Sequence, residues 1–419
     1  MSQKKNILLL INQLHGGGAE KVMASLSREL AKQYNITFVI YNDITKIAFP
    51  FEGKLVRIRL PFAKNPSKNP TYARFIRFIK LIYKLRQIKK QYKIEVAISF
   101  LEASNIVNVL SRRDEKLVLS VRSYLSNEFK DDARNKVFRN IIKQLYNRAD
   151  YVIAPSKLIK HDLVSNFNVK DYKVAVIYNY VDREQIISQR EQSINSTGLE
   201  QLFHYPVLVN VGRLTNPKGQ WFLIPILKNV KRRIPNAKLL ILGAGPLKNR
   251  ILQLADEAGF KCYEGPESFA RYNTRQVGDF DVFLPGFQSN IYPFLSRSSV
   301  FVMTSVYEGF PNVVIEGMAC GLPLISSDCA AGPREIIAPE TSIQHTTDSV
   351  EYAEYGILLP VLNEHAQKYK EQIILWSEVV ADVLANSEIS SRLRKQSFIR
   401  SDHFEKHVIL EKWIDAIEN

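Results

Sequence analysis

The strongest constraint on what this chain can fold into is an alternation. Short apolar runs rich in β-branched residues (Ile7 to Ile11, Ile36 to Tyr41, Val96 to Phe100, Leu117 to Val121, Tyr151 to Ala154 and Val174 to Tyr178) are separated by longer stretches with helical periodicity. Runs that are apolar at every position suit strands covered on both faces, and strands that alternate with helices pair in parallel. The pattern restarts at Val207 to Val211 and continues at Lys238 to Leu242, Val300 to Thr304 and Leu324 to Ser327. This predicts an α/β chain with two successive Rossmann-like units, each on a doubly wound parallel sheet, and 419 residues are enough for two cores. Residues 186–204 are polar, include Ser193 to Gly198 and lack an apolar period, which predicts a linker between domains at 1–185 and 205–399.

Charge separates the two halves. Residues 1–190 hold 35 Lys and Arg against 16 Asp and Glu, whereas residues 191–419 hold 22 against 26. A basic half beside a near-neutral one points to a polyanionic partner: nucleic acid, an anionic membrane surface or phosphorylated substrates. The cysteines Cys262, Cys320 and Cys329 form an odd set without metal-ligand spacing, which argues against a disulfide framework and for a reducing compartment. No apolar run approaches the length of a membrane span, and Ile7 to Ile11 is too short for a signal peptide. These features predict a soluble cytoplasmic protein that touches a membrane at most peripherally.

Much of the local positive charge falls in residues 71–92, where Phe75, Phe78, Ile79, Ile82 and Leu85 follow helical spacing and Arg77, Lys80 and Lys84 form a second stripe. This is a basic amphipathic helix. Its apolar face either packs on the protein's own sheet, which is the default, or docks into a membrane interface with the cations on anionic headgroups.

Three loops carry groups suited to chemistry. After the first strand, His15-Gly16-Gly17-Gly18 leads into a helix, so backbone N–H groups can approach an anion or substrate there, although the G-x-G-x-x-G spacing of a dinucleotide loop is absent. After Val211, Gly212-Arg213 and Lys218 put a guanidinium fork and a mobile ammonium at a sheet edge, a pair able to hold a diphosphate and offset its charge as it leaves. The third loop runs from Ser305 through Glu308-Gly309-Phe310-Pro311-Asn312 to Glu316 and Gly321, with Glu308 in a loop and Glu316 on the following helix. Eight residues of helix separate two positions by roughly 12 Å and about 80°, too far for a shared proton or metal but suited to two parts of an extended ligand such as a sugar and a ribose.

The arrangement Glu308-x7-Glu316, flanked by Gly-Phe-Pro-Asn and Met-Ala-Cys-Gly-Leu-Pro, resembles the retaining GT-B glycosyltransferases of family 4. Gly212-Arg213 with Lys218, Leu242 to Leu247, Ile177-Tyr178-Asn179 and the N-terminal glycines match in the expected order. The resemblance is nearest to bacterial members that build surface polysaccharides and lipid-linked oligosaccharides. It implies two domains facing across a cleft, a nucleotide-sugar donor (a UDP-sugar by preference) on the second, and a glycan or lipid-linked acceptor on the first. It further implies that Arg213 and Lys218 hold the diphosphate, Glu316 the ribose and Glu308 the transferred hexosyl or N-acetylhexosaminyl group. Backbone groups of Phe310, Pro311 and Asn312 would line the sugar pocket, and Gly17 and Gly18 would face phosphate or acceptor. Similar enzymes need no cofactor or metal, and in them a C-terminal helix, here 400–419, crosses back to the first domain.

Two features depart from the family pattern. Arg122 stands where many relatives have a histidine, which makes Arg122, with His15, a candidate contact for phosphate or acceptor. The segment Glu267 to Asp281 is longer than the corresponding turn. Asp279-Phe280-Asp281 matches a metal-binding tripeptide of another glycosyltransferase architecture, but no further oxygen ligands are marked, and His15, His161 and His204 lack metal spacing. The alternative to a transferase is a basic two-domain α/β protein that binds nucleic acid. No nucleic-acid module surrounds the basic residues, so nucleic acid is not the expected partner.

Overall fold

A computed structural model describes residues 4–14, 16–41, 47–60, 71–128, 133–194 and 199–419. The chain divides into two units, Met1–Asn179 with Ile409–Asn419, and Tyr180–Val408.

Among its described residues the first unit holds seven parallel strands: β1 Asn6–Ile11, β2 Asn35–Ile40, β3 Lys54–Arg57, β4 Val96–Phe100, β5 Lys116–Ser120, β6 Tyr151–Ala154 and β7 Val174–Val176. Their order is β3-β2-β1-β4-β5-β6-β7, so the winding direction reverses between β1 and β4. In this register Phe100 lies opposite Ser120, which sets the chain leaving β4 beside the chain leaving β5. The central strands β1, β4 and β5 are buried except at Asn6 and Lys116, the first residues of β1 and β5, as runs without polar alternation require.

The second unit holds β8 Val207–Val211, β9 Lys238–Leu242, β10 Cys262–Tyr263, β11 Val282–Phe283, β12 Val300–Met303, β13 Leu324–Ser327, β14 Glu351–Ala353 and β15 Gly356–Leu359. The order is β10-β11-β9-β8-β12-β13-β15-β14, parallel except for the β14–β15 pair. Here the winding reverses between β8 and β12. Ligands of open parallel sheets bind outside the carboxyl ends of the strands at such reversals. All the apolar runs named from the sequence are strands, within one or two residues. The missed strands are short or lie at or near a sheet edge, where few positions are apolar on both faces.

Three expectations change in detail. The polar stretch read as a linker lies inside the second unit: a helix spans Arg183–Arg190 with Ile186 buried, Asn290 Nδ2 donates to the Gln189 carbonyl at 3.1 Å, and Leu199 and Leu202 are buried. Isolated apolar residues anchor that segment, too few to give a period. The helix Thr71–Gln91 forms, but it turns Leu81, Leu85 and Ile88 inward and leaves Tyr72, Phe75, Ile76, Ile79 and Tyr83 exposed. The C-terminal helix Lys406–Glu418 passes from the second unit into the first at Ile409, so residues 400–408 stay with the second. Trp413 stacks on Phe100 with ring centroids 5.9 Å apart, and Tyr34 donates to Glu418 at 2.9 Å.

Candidate active site

The winding reversal of the second unit gathers most of the candidate side chains. After β8 the chain runs through Gly212 and Arg213 to a single helical turn, Asn216–Lys218, that ends at Gly219. Gly219 is left-handed (φ +61°), and a Cβ there would lie 2.2 Å from the Thr304 carbonyl oxygen, so only glycine lets this loop rest against the end of β12. Thr304 Oγ1 donates to the Gly219 carbonyl at 2.9 Å and fastens the same contact. The loop after β9 closes in similarly: at Gly243 a Cβ would lie 1.9 Å from the Gly212 carbonyl oxygen.

This approach brings Lys218 to Glu308. Lys218 Nζ donates to Glu308 Oε1 at 2.6 Å, and Ser305 Oγ donates to the same oxygen at 2.7 Å. Glu308 is only 8% exposed, while Lys218 retains 25% of its side-chain surface. A buried carboxylate held through one oxygen by an ammonium and a hydroxyl keeps capacity at its other oxygen for a ligand hydroxyl. The aliphatic part of Lys218 runs beside Gly212. Arg213 is exposed, and its guanidinium makes no hydrogen bond or ion pair among the described residues; its backbone is held by Gln220 Nε2, which donates to the Arg213 carbonyl at 3.1 Å.

Pro311 caps the helix Asn312–Ala319, on which Glu316 is 5% exposed among the buried Val314, Ile315 and Met318. Phe310 packs edge-on to Phe404 at 5.8 Å. At Gly332 (φ +97°) a Cβ would lie 2.4 Å from Pro311 Cδ, so the chain after β13 pins the start of this helix. Ser305, Thr304 and Gln220 escaped the sequence reading. A serine three residues before Glu308 at a strand end is the one signal that could have found Ser305.

In the first unit, Gly17 caps the helix Gly18–Leu30, but the Glu20 carboxylate folds back so closely that a Cβ on Gly17 would lie 2.0 Å from Glu20 Oε2. The positive end of that helix thus already faces a carboxylate of its own first turn. His15 lies outside the described residues. Arg122, just beyond β5, stacks on the Phe100 ring at 4.7 Å and donates to Ser120 Oγ at 3.3 Å and to Asn179 Oδ1.

Asp279 and Asp281 stand before β11, at the amino end of a parallel strand and so on the edge opposite the candidate site. Asp281 pairs with Lys231 at 2.8 Å, and Asp279 accepts from Thr274. Among the described residues no cluster of three His, Cys, Asp or Glu side chains could hold a metal ion. The segment after β10 forms a helix, Glu267–Arg271, and an aromatic cluster in which Phe269, Phe280 and Phe283 surround Tyr263.

Known proteins bear directly on this architecture. The family model described as Glycosyltransferase Family 4 matches residues 16–185, and the model described as Glycosyl transferases group 1 matches residues 205–366. An uncharacterized glycosyltransferase of Methanocaldococcus jannaschii is 30% identical over 387 residues, covering 88% of this chain and 89% of the relative. The N-acetylgalactosamine-N,N'-diacetylbacillosaminyl-diphospho-undecaprenol 4-alpha-N-acetylgalactosaminyltransferase of Campylobacter jejuni is 28% identical, covering 85% of this chain and 87% of that enzyme. The crystal structure of Anabaena HepE in complex with UDP and glucose superposes with a TM-score of 0.69 at 16% identity, covering 99% of both chains. The chain belongs to the GT-B glycosyltransferases of the family 4 type.

Proposed function

We propose that the enzyme moves a hexosyl or N-acetylhexosaminyl group from a UDP-sugar to a polysaccharide or lipid-linked oligosaccharide of the bacterial cell surface, with retention of anomeric configuration and without a metal. The observation that carries this reading is the Lys218–Glu308–Ser305 cluster at the winding reversal of the second unit. Support for the donor comes from HepE, whose structure holds UDP and glucose, and for a lipid-linked acceptor from the C. jejuni enzyme's name.

In this reading Arg213 and Lys218 neutralise the diphosphate, Glu316 accepts from the ribose hydroxyls, and the free oxygen of Glu308 accepts from a hydroxyl of the transferred sugar. Backbone N–H groups at Phe310, Pro311's successor Asn312 and the following turn face the sugar from a helix start. The acceptor oxygen attacks the anomeric carbon on the face that the phosphate leaves. The bond from that carbon to the phosphate oxygen breaks, and the acceptor's proton passes to the departing phosphate. Charge accumulates on the diphosphate as this happens, and fixed cations there lower the barrier without a metal ion. Gly17 and Gly18 are assigned to donor binding, facing the phosphate or the acceptor.

The helix Thr71–Gln91 is assigned to an anionic membrane surface at the cytoplasmic face. Its outward row Tyr72, Ile76, Ile79 and Tyr83 supports this, flanked by Lys80 and Lys84. No helix among the described residues is long and apolar enough to cross a membrane. A thermal-shift screen of the full chain against nucleotide sugars tests the donor assignment, because a ligand of the folded state raises the melting temperature. Stabilisation by UDP and one UDP-sugar is expected, and no response to any of them would refute it. Transfer assayed with a chelator should persist; complete loss restored by a divalent cation would refute metal independence.

A further inference from the structure

The first unit has its own winding reversal, between β1 and β4, and the chain leaving β4 there is unusual in three respects. Leu101 adopts φ 73° and ψ 150°, a backbone region that is essentially reserved for glycine. Glu102, the first residue of the helix Glu102–Leu110, is only 8% exposed, and its Oε1 has no hydrogen-bond partner among the described residues. The guanidinium of Arg122 is within electrostatic reach of that carboxylate and is itself fixed by Phe100, Ser120 and Asn179. An orphaned buried acceptor costs stability, and strain beside it costs more, so a fold that keeps both calls for a reason, which a ligand supplies.

The charges say which ligand. Glu102 and Arg122 offset each other, so an anion gains little there, and a carboxylate at the helix start opposes a second negative group. A neutral hydroxyl, which both donates and accepts, satisfies the pair: it donates to Glu102 Oε1 and accepts from the Arg122 guanidinium. We infer that Glu102 and Arg122 form a clamp for a hydroxyl of the acceptor saccharide, with Leu101 strained to place the carboxylate. This rests on the reading of the chain as a transferase to a glycan. Burial pushes the Glu102 carboxyl up to about 7, with Glu128 adding to the rise and Arg122 opposing it, as expected of a carboxylate awaiting a partner.

Saturation-transfer NMR on the full chain with UDP present tests the clamp, using the p-nitrophenyl glycosides of glucose, galactose, N-acetylglucosamine and N-acetylgalactosamine as probes. The wild type is expected to bind at least one of them, Glu102→Ala and Arg122→Ala about tenfold or more weakly, and Glu102→Gln in between. In a transfer assay the loss should fall on the acceptor KM and spare the donor KM. Glu102→Gln should melt at or above the wild-type temperature, since it removes an unsatisfied carboxylate. Binding of no glycoside by the wild type, undiminished binding by Glu102→Ala, displacement of the glycoside by inorganic phosphate, or a lower melting temperature for Glu102→Gln would each overturn the proposal. Calorimetric titration of UDP into the wild type reports on the donor site separately, so absence of UDP binding counts against the donor reading and not against the clamp.

Discussion

Individual residues at the donor edge separate by what surrounds them. Lys218→Ala leaves Glu308 buried with Ser305 as its remaining donor and removes a cation from the assigned diphosphate site, so turnover should fall on the order of a hundredfold or more. Steady-state transfer rates check this, and wild-type rates in the Arg213→Ala and Lys218→Ala double variant would remove both residues from the mechanism. Gly243→Ala should lower the melting temperature and weaken UDP binding together, because the new methyl group meets the Gly212 carbonyl oxygen. Glu102 gives a pH signature. Its folded value of about 7 lies above its ordinary 4.5, so the folded state binds the extra proton between those values and stability declines as pH rises through that window. The groups around it are Arg122, Glu128 and the Tyr146 hydroxyl, which burial raises well above its usual range. Glu102→Gln should flatten that part of the melting-temperature profile, a change on the order of 3 kcal/mol across the window. Glu308 and Glu316 were legible because a loop carboxylate and a helical one at a fixed spacing form a pattern. Ser305 and Glu102 were not: the one signal for Ser305 was its place at a strand end three residues before Glu308, and Glu102 had none until the fold brought Arg122 within electrostatic reach.

Elements were legible where burial is two-sided and ambiguous where it is one-sided. The all-apolar runs leave only one way to be covered, and all became strands inside their sheets except Val174 to Tyr178, which supplies the edge strand β7. The helix Thr71–Gln91 carries apolar residues most of the way round, so periodicity alone grouped Phe75 and Ile79 with Leu85. The fold separates them: Leu85 is fully buried, whereas Phe75 is 64% and Ile79 48% exposed. A paired experiment uses that division. Phe75→Ser with Ile79→Ser should leave the melting temperature within the small range of surface substitutions and reduce sedimentation with anionic phospholipid vesicles. Leu85→Ala should cost about 2–5 kcal/mol of stability, read from denaturant unfolding, without a specific effect on vesicle binding. Unchanged sedimentation of the double variant would return the exposed face to solvent.

At the scale of the whole molecule, the basic half and the near-neutral half acquire different tasks. In the proposed reading the second unit meets a diphosphate with a few placed cations, Arg213 and Lys218, which requires no net positive domain. In the same reading the clamp is itself charge-balanced, which leaves the excess of the first half to the proposed membrane surface and acceptor phosphates. The C-terminal helix ties the chain's end to this clamp through one ring. Phe100, the last residue of β4, meets both Trp413 at 5.9 Å and Arg122 at 4.7 Å, and it precedes the strained Leu101. Trp413→Ala should therefore do two things. It should destabilise the first unit by about 3–5 kcal/mol, as removal of a buried aromatic does. It should also raise the acceptor KM at temperatures where the protein remains folded, because Phe100 loses a packing partner and Arg122 its fixed platform, while UDP affinity, which the proposed function assigns to the second unit, stays close to wild type. Trp413→Phe should recover both properties in part. A variant that loses stability but keeps the wild-type acceptor KM would confine the C-terminal helix to packing and detach it from the placement of Arg122.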